Sequence, residues 1–280
     1  MTQHQIPTEN HQGFNLPASD EAPTGPVLLV EKQEAHEQFH KDHPRQLTVL
    51  LRITHARRLV DQSESAESYF DENVTVVTTT TVNDRVLSEL DWEEEYDLVA
   101  QFQPDFHIPC DYPVYKEDDP TLRRKHVVKC LKGMIWMAGQ FSGMKTQILP
   151  LLKGETPYER RLCYQVFDHI GAKYCVFYGT QYFTAGIGFN QLQKDLRTVA
   201  SEASDLEIML IGLQAPDLLE QVPPQIVAAA GQRWMAEVRL REVPWQKSQQ
   251  LYEPMAQKIN AALGQGQMPI MAWANSEVTA

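Results

Sequence analysis

Short apolar runs rich in β-branched residues alternate with longer stretches of helical period from Gln46 onward. In the longer stretches apolar residues recur every three or four positions, as in Leu251, Met255 and Ile259, which is the spacing of a helix face that packs on a sheet. The predicted strands are Leu47–Ile53, Val74–Thr80, Asp105–Pro109, Gln147–Leu152, Tyr174–Tyr178, Glu207–Gly212, Glu237–Leu240 and Met268–Trp273.

Strands that alternate with helices pair in parallel through right-handed crossovers, and eight such units predict an α/β fold of the (β/α)₈ TIM-barrel type. A doubly wound open sheet is the second interpretation. Its usual marker, a glycine-rich loop after the first strand, is missing, because the residues from Thr54 read THARRLVD. Residues 1–26 are polar and aperiodic and are predicted to be a mobile tail, which leaves residues 27–280 as a single barrel-like domain.

The composition, with 42% hydrophobic and 22% charged residues over 280 positions, is that of a globular protein. No run approaches the roughly 18 apolar residues that span a bilayer, and the N-terminus lacks an apolar secretory core. We therefore expect no membrane partner and a cytoplasmic location. The net charge of −12 opposes non-specific nucleic-acid binding, so any such contact requires a local basic patch. The candidates for that patch are Arg57, Arg58, Arg123, Arg124 and Lys125.

The four cysteines, Cys110, Cys130, Cys163 and Cys175, form no CxxC pair, so we expect buried free thiols and neither a disulfide framework nor a zinc site. His36 and His40 are four residues apart and could share a helix face as a metal pair, but no third ligand is in view. No metal and no cofactor are predicted.

Barrel active sites lie at the carboxyl ends of the strands, which converts the fold prediction into a set of candidate residues. At the ends of the third, fourth and fifth predicted strands these are His107, Cys110, Asp111, Lys153, Gly154, Gly179 and Gln181, and the seventh strand carries Glu237. Each has a structural alternative: Asp111 can form an Asx-turn, Lys153-Gly154 a turn, Gly179 a bulge, and His107 can be a satisfied core histidine.

The order of these segments, from about Phe106 to Leu240, resembles the tRNA-guanine transglycosylases, which exchange a guanine for a 7-deazaguanine base in tRNA and have relatives that act on DNA. Asp111 stands where that family has its base-reading aspartate. Lys153-Gly154 stands at the family's Gln-Gly-Gly motif, Tyr178-Gly179 at its Gly-Gly pair, and Gly212–Pro216 at its Gly-x-x-x-Pro turn. The resemblance implies a (β/α)₈ barrel and base exchange through a carboxylate nucleophile.

The sequence also departs from the family pattern. The first catalytic motif is replaced by VTTTTVND, in which Asp84 is the only acid, and the family's cysteine-rich zinc cluster is absent. Ala236 stands at about the place of the nucleophile, with Glu237 beside it.

Three hypotheses follow. The first is a barrel that binds or exchanges a guanine or 7-deazaguanine base in tRNA or DNA, a pentosyltransferase if active. In it Asp111 and Glu237 are catalytic, and the residues that bind the base are His107, Cys110, Lys153, Gly154, Gly179 and Gln181. The second is a catalytically inactive relative that acts as a partner subunit or scaffold in a homo- or hetero-oligomer. The third is an unrelated barrel lyase that uses Lys153 as a Schiff base.

Overall fold

The computed structural model describes residues 13–184 and 186–264, which form one curled, barrel-like parallel sheet surrounded by helices. The strands are β1 (Gly25–Val30), β2 (Leu47–Arg52), β3 (Val74–Thr79), β4 (Phe106–Ile108), β5 (Gln147–Ile148), β6 (Leu151–Leu152), β7 (Tyr174–Tyr178), β8 (Glu207–Ile211) and β9 (Ile226–Gly231). The helices are α1 (Glu34–His40), α2 (Ile53–Val60), α3 (Ala66–Tyr69), α4 (Asp84–Glu89), α5 (Trp92–Phe102), α6 (Pro120–Gln140), α7 (Pro157–Ile170), α8 (Thr180–Thr184), α9 (Phe189–Glu202), α10 (Pro216–Leu219), α11 (Trp234–Glu237) and α12 (Trp245–Gly264).

The strand order is β5-β4-β3-β2-β1-β9-β8-β7-β6, with β1 at its centre. The two ends of this order, β5 and β6, belong to one short chain segment, of which β5 pairs with β4 and β6 with β7. The residues between them also bond to both sides. The Leu149 amide donates to the His107 carbonyl at 2.8 Å, and the Val176 amide donates to the Pro150 carbonyl at 2.8 Å.

The α/β architecture with parallel strands is confirmed, and six of the eight predicted strands are observed to within a residue at each end. The fourth of these, Gln147–Leu152, is divided into β5 and β6. The prediction of a strand at Glu237–Leu240 is wrong. Trp234 and Val238, four residues apart, are both fully buried, so this stretch has a helical period and forms α11 and a turn. The predicted strand Met268–Trp273 lies outside the described residues.

Two strands were not predicted. β1 lies at the junction that the sequence assigned to the end of the tail, and β9 has the alanine-rich sequence IVAAAG, which carries little of the β-branched signal. Both are buried along most of their length and occupy the centre of the strand order. In such a place neighbouring strands and helices, not intrinsic propensity, decide the conformation.

The core has two layers. One fills the inside of the curled sheet with apolar side chains, among them Leu50, Ile108 and Leu151. The other lies between the sheet and the outer helices and includes the fully buried Phe102 and Trp234. Because the inner layer is packed with apolar atoms, polar chemistry has to be placed at the ends of the sheet.

Residues 13–26 are packed against the rest of the molecule. The Asn15 side-chain amide donates to the carbonyls of Met144 at 2.9 Å and Thr146 at 2.7 Å, and Ala22 joins the inner apolar layer. The Tyr174 hydroxyl donates to the Pro23 carbonyl at 2.5 Å. The predicted mobile tail therefore does not extend over residues 13–26, because backbone carbonyls and one asparagine anchor a segment that has little apolar periodicity. Residues 1–12 lie outside the described part.

Candidate functional site

Polar side chains line the carboxyl edge of the sheet, directly above the inner apolar layer. Successive side chains of a strand point to opposite faces, so the position two residues after an inward-facing apolar residue also faces inward. Leu29, Leu50 and Leu151 belong to the inner layer. In these three strands and in three others, the residue two positions after the inward-facing apolar residue is polar. These polar residues are Glu31, Arg52, Thr79, Lys153, Tyr178 and Gln232.

An ion pair between Asp111 and Lys153 stands at this edge. Lys153 Nζ contacts Asp111 Oδ1, and the two side chains are only 13% and 8% exposed. The left-handed backbone of Cys110, with φ of 56°, turns the chain sharply just before Asp111. The Asp111 amide then donates to Thr80 Oγ1 at 3.1 Å, which fixes the turn to the end of β3. The structure therefore brings two of the predicted site residues into direct contact.

Each partner changes the titration of the other. Burial raises the pKa of the Asp111 carboxyl, and the Lys153 ammonium acts in the opposite direction. Burial alone would lower the pKa of Lys153, but the Asp111 carboxylate outweighs it, so the pKa of Lys153 is raised. Lys153 thus keeps its proton at neutral pH. A Schiff-base lysine has to be a neutral amine, so this pairing opposes the lyase hypothesis.

A cleft opens beside Lys153, with a cavity volume of about 50 Å³. This is much smaller than the roughly 300–1,000 Å³ of typical small-molecule sites, so the cleft as it stands admits only the edge of a ligand ring. One wall is aromatic, because the rings of Phe177 and Tyr182 are stacked with centroids 6.3 Å apart. The lining residues that the argument uses are Lys153, Gly154, Glu155, Tyr178, Gln181 and Asp195.

The cleft is also lined by acidic residues. Asp195 accepts hydrogen bonds from the Tyr182 hydroxyl at 2.7 Å and from the Gln191 side-chain amide at 2.8 Å. Burial raises the pKa of Glu155, and the nearby charge of Asp195 raises it further. Arg160, which also lines the cleft, is held by Glu202 through two hydrogen bonds of 2.7 Å.

His107 and Cys110, predicted to bind substrate, lie below the cleft and do not line it. Glu95 Oε1 is 2.9 Å from His107 Nε2 and accepts the Cys110 amide at 2.9 Å. The other ring nitrogen of His107 is 2.8 Å from Thr78 Oγ1, and Glu95 and His107 are both buried. These contacts match the alternative of a satisfied core histidine, with Glu95 holding the turn that precedes Asp111.

The two predicted glycines differ in their surroundings. Gly154 lines the cleft and has φ of 121°, and a Cβ there would lie 2.7 Å from the Cβ of Glu159. A side chain is therefore excluded by the first turn of α7. At Gly179 a Cβ would lie 3.0 Å from Leu210 Cδ1, so this position lets β7 and β8 pack closely.

Glu237, predicted to be catalytic, lies on α11 and is ion-paired with Arg233, whose Nε is 2.9 Å from Glu237 Oε1. It does not line the cleft. The one-turn helix replaces the strand that the prediction assumed, so the side chain is not delivered to the carboxyl edge beside Asp111 in the predicted way.

Two polar groups at the carboxyl edge were not predicted. The Tyr115 hydroxyl donates to both oxygens of Asp84, at 2.9 and 3.1 Å, and the charge of Asp84 contributes to raising the pKa of Asp111. Glu31 pairs with Arg52 at 3.2 Å at the ends of β1 and β2. The sequence signal for Glu31 was lost because β1 itself was not recognised, whereas Asp84 stood out as the only acid in its segment.

No protein-family model and no curated protein matches this chain. Within residues 13–184 and 186–264, no group of three or more potential ligands is arranged to hold a metal ion. None of the helices in this part of the chain has both the length and the apolarity needed to cross a bilayer. All four cysteines are buried free thiols, as predicted.

Proposed function

We propose that this protein binds a guanine-type base, free or presented by tRNA or DNA, in the cleft at the carboxyl edge of its sheet. The observation that carries the proposal is the buried Asp111–Lys153 pair beside a cleft with an aromatic wall. Planar bases are held by stacking on aromatic side chains and by hydrogen bonds along their edges. The cleft offers aromatic rings and the Lys153 ammonium in one place, and Asp111, which does not itself line the cleft, lies in contact with Lys153.

The pair is complementary to the edge of guanine. That edge presents two donors, the N1–H and the exocyclic amine, next to a carbonyl acceptor. A carboxylate accepts and an ammonium donates, so Asp111 suits the donors and Lys153 suits the carbonyl. The Lys153 ammonium favours the ionised form of Asp111 and opposes the effect of burial, which raises the pKa of this carboxyl. Gln181 lines the same cleft.

We further propose that the curled sheet is a (β/α)₈ barrel of transglycosylase type, joined through the segment 147–152. Support comes from the pairing of this segment with β4 on one side and β7 on the other. In such a barrel the carboxyl edge is the face that holds the active site.

The binding proposal is tested by calorimetric titration of guanine and 7-deazaguanine into the wild-type protein and Asp111→Asn. We expect saturable binding to the wild type and a loss of about 5- to 150-fold in the variant, since a good edge contact contributes about 1–3 kcal/mol. Asp205→Asn, an exposed acid on the loop before β8, is the matched control and should bind like the wild type. Equal affinity of Asp111→Asn and wild type would refute the assigned role.

A second candidate function is a partner subunit that binds the base without exchanging it. The position of Glu237 favours it, because this carboxylate is engaged by Arg233 and does not line the cleft. Incubation with labelled guanine and tRNA or DNA separates the two. Incorporated label or a trapped covalent adduct supports exchange, whereas guanine binding without either supports the partner subunit.

A further inference from the structure

Helix α6 is the basic element of an acidic protein. Its sequence, PTLRRKHVVKCLKGMIWMAGQ, holds five cationic residues and no acid, whereas the whole chain has 37 acids against 25 bases. Arg123 is buried and pairs with Glu159 at 3.1 Å, so it is not part of the surface. The other four are exposed, and they are Arg124, Lys125, Lys129 and Lys132.

Three of these cations form a stripe along the helix. Lys125, Lys129 and Lys132 are spaced by four and three residues, which places them on one side. Val127 and Met134, on the opposite side, are buried in the core. An amphipathic helix that enters a membrane needs a free apolar face, and α6 has already used its apolar face in the core. The stripe is therefore suited to a polyanion and not to a lipid surface.

Two of the exposed cations of α6, Lys129 and Arg124, contact aromatic residues near the loops of the candidate site. Lys129 Nζ lies 4.4 Å from the centre of the Tyr112 ring, and Tyr112 directly follows Asp111. At the first turn of the helix, Arg124 Cζ lies 4.8 Å from the centre of the Tyr158 ring. Tyr158 is 54% exposed and stands at the start of α7, shortly after Lys153-Gly154. An exposed aromatic ring beside an arginine is a typical platform for a stacked base.

We propose that the outward face of α6, with Tyr158, binds the phosphodiester backbone of a nucleic acid strand whose base enters the cleft at Lys153, the ion-pair partner of Asp111. This inference rests on the proposed function and names its partner. Along a strand, phosphates pair with the cations of α6 while a neighbouring base stacks on Tyr158. The overall charge of −12 repels nucleic acid elsewhere, so α6 also sets the orientation in which the strand approaches.

The two acids that directly precede α6 in the sequence, Asp118 and Asp119, each accept a backbone hydrogen bond. Asp119 Oδ1 accepts the Thr121 amide at 2.8 Å and caps α6, and Asp118 Oδ2 accepts the Tyr115 amide at 3.2 Å. They lie before the helix, so the face from Arg124 to Lys132 has no acid of its own helix to neutralise it.

The test is fluorescence anisotropy with a labelled single-stranded oligonucleotide, as RNA and as DNA, titrated with the full chain over a series of salt concentrations. The variant is Arg124→Gln/Lys125→Gln/Lys132→Gln. The control is Lys173→Gln/Arg197→Gln/Lys258→Gln, which removes the same charge from exposed positions on other elements. We expect the α6 variant to bind on the order of tenfold or more weakly. The slope of log K against log salt concentration should be less negative by about 2 in this variant, since it loses three cations and each phosphate contact contributes about 0.7 to the slope on single strands.

Equal losses in the α6 variant and the control would overturn the proposal, because they would reflect total charge alone. Binding of the wild type to vesicles of anionic phospholipid, lost in the α6 variant, with no binding to either oligonucleotide, would also overturn it in favour of a membrane surface. Guanine titration separates this proposal from the one on which it rests. The α6 variant should bind guanine like the wild type. If the wild type does not bind guanine, the base site is refuted, and the oligonucleotide titration still tests whether α6 binds a nucleic acid strand.

Discussion

The Asp111–Lys153 pair affects both the stability of the protein and the base binding proposed for it. Two buried charges in contact compensate each other, and removing one leaves the other without a partner in a poorly solvated place. The same pair contributes nothing to recognition unless both groups keep their charge. Residue-level changes here therefore have to be read for folding as well as for binding.

We expect Asp111→Asn to lower the free energy of unfolding by about 3 kcal/mol, because it leaves the Lys153 ammonium buried and uncompensated. The double variant Asp111→Asn/Lys153→Met should recover most of that loss, since no charge is then buried. Urea unfolding followed by circular dichroism measures both. A double variant that is less stable than the single one would show that the pair does not act as a unit.

At the scale of elements, α1 concentrates buried histidines in a small aromatic cluster. The His40 ring lies 4.6 Å from that of Phe70 and 5.5 Å from that of Tyr69, and its Nδ1 has no hydrogen-bond partner among the described residues. Burial lowers the pKa of His36 and of His40 to about 4. The helix that connects β1 to β2 thus requires neutral histidines.

The sign of the resulting pH dependence follows directly. Between the ordinary histidine pKa of 6.5 and the folded value of about 4, the unfolded chain binds protons that the folded chain does not. Stability is therefore present above pH 6.5 and is lost as the pH falls towards 4. His40→Phe, which keeps a ring in the cluster, should reduce this slope by up to about 1.4 kcal/mol per pH unit.

Urea unfolding of wild type and His40→Phe at several pH values from 4.5 to 7.5 isolates the contribution of this one group, because carboxylates titrate alike in both proteins. Parallel curves for the two proteins would contradict the assignment. His36 remains in the variant and supplies the residual slope.

Elements with a strong periodic signal were predictable, and those held by their surroundings were not. β2, β3 and β7 follow from their β-branched and aromatic runs, and α7 from its apolar spacing. β9 is a strand of alanines that only its neighbours make extended. Since β1 was missed as well, two of the six inward-facing polar residues of the carboxyl edge, Glu31 and Gln232, could not be placed from the sequence.

At the scale of the whole molecule, the amino-terminal segment contacts two parts of the structure that are distant from it in the sequence. Within residues 13–24, Asn15 donates to the Thr146 carbonyl beyond α6, and the Pro23 carbonyl accepts from Tyr174 at the start of β7. Polarity alone could not reveal this, because the contacts are made by an asparagine and by backbone carbonyls. The contact between Asp111 and Lys153 was predictable from the order of the strands. The position of Glu237 away from them was not, because it depends on its segment forming a helix instead of the predicted strand.

We expect Tyr174→Phe to lower the free energy of unfolding by about 1–2 kcal/mol, because the buried Pro23 carbonyl loses its only side-chain donor among the described contacts. Tyr158→Phe, which removes a hydroxyl from a ring that is 54% exposed, should change it by no more than about 0.5 kcal/mol. Thermal unfolding of both variants gives the comparison. Equal stability of the two would show that the amino-terminal segment is not anchored through this bond.

The segment that holds β5 and β6 has one further consequence, which concerns self-association. A sheet with long outer strands offers rows of unpaired amides and carbonyls on which another chain can add. Here the outermost strands of the order are only two residues long and are consecutive pieces of one segment. Within the described residues they offer almost no template, so association by strand addition is disfavoured, and the net charge of −12 further opposes the approach of two copies.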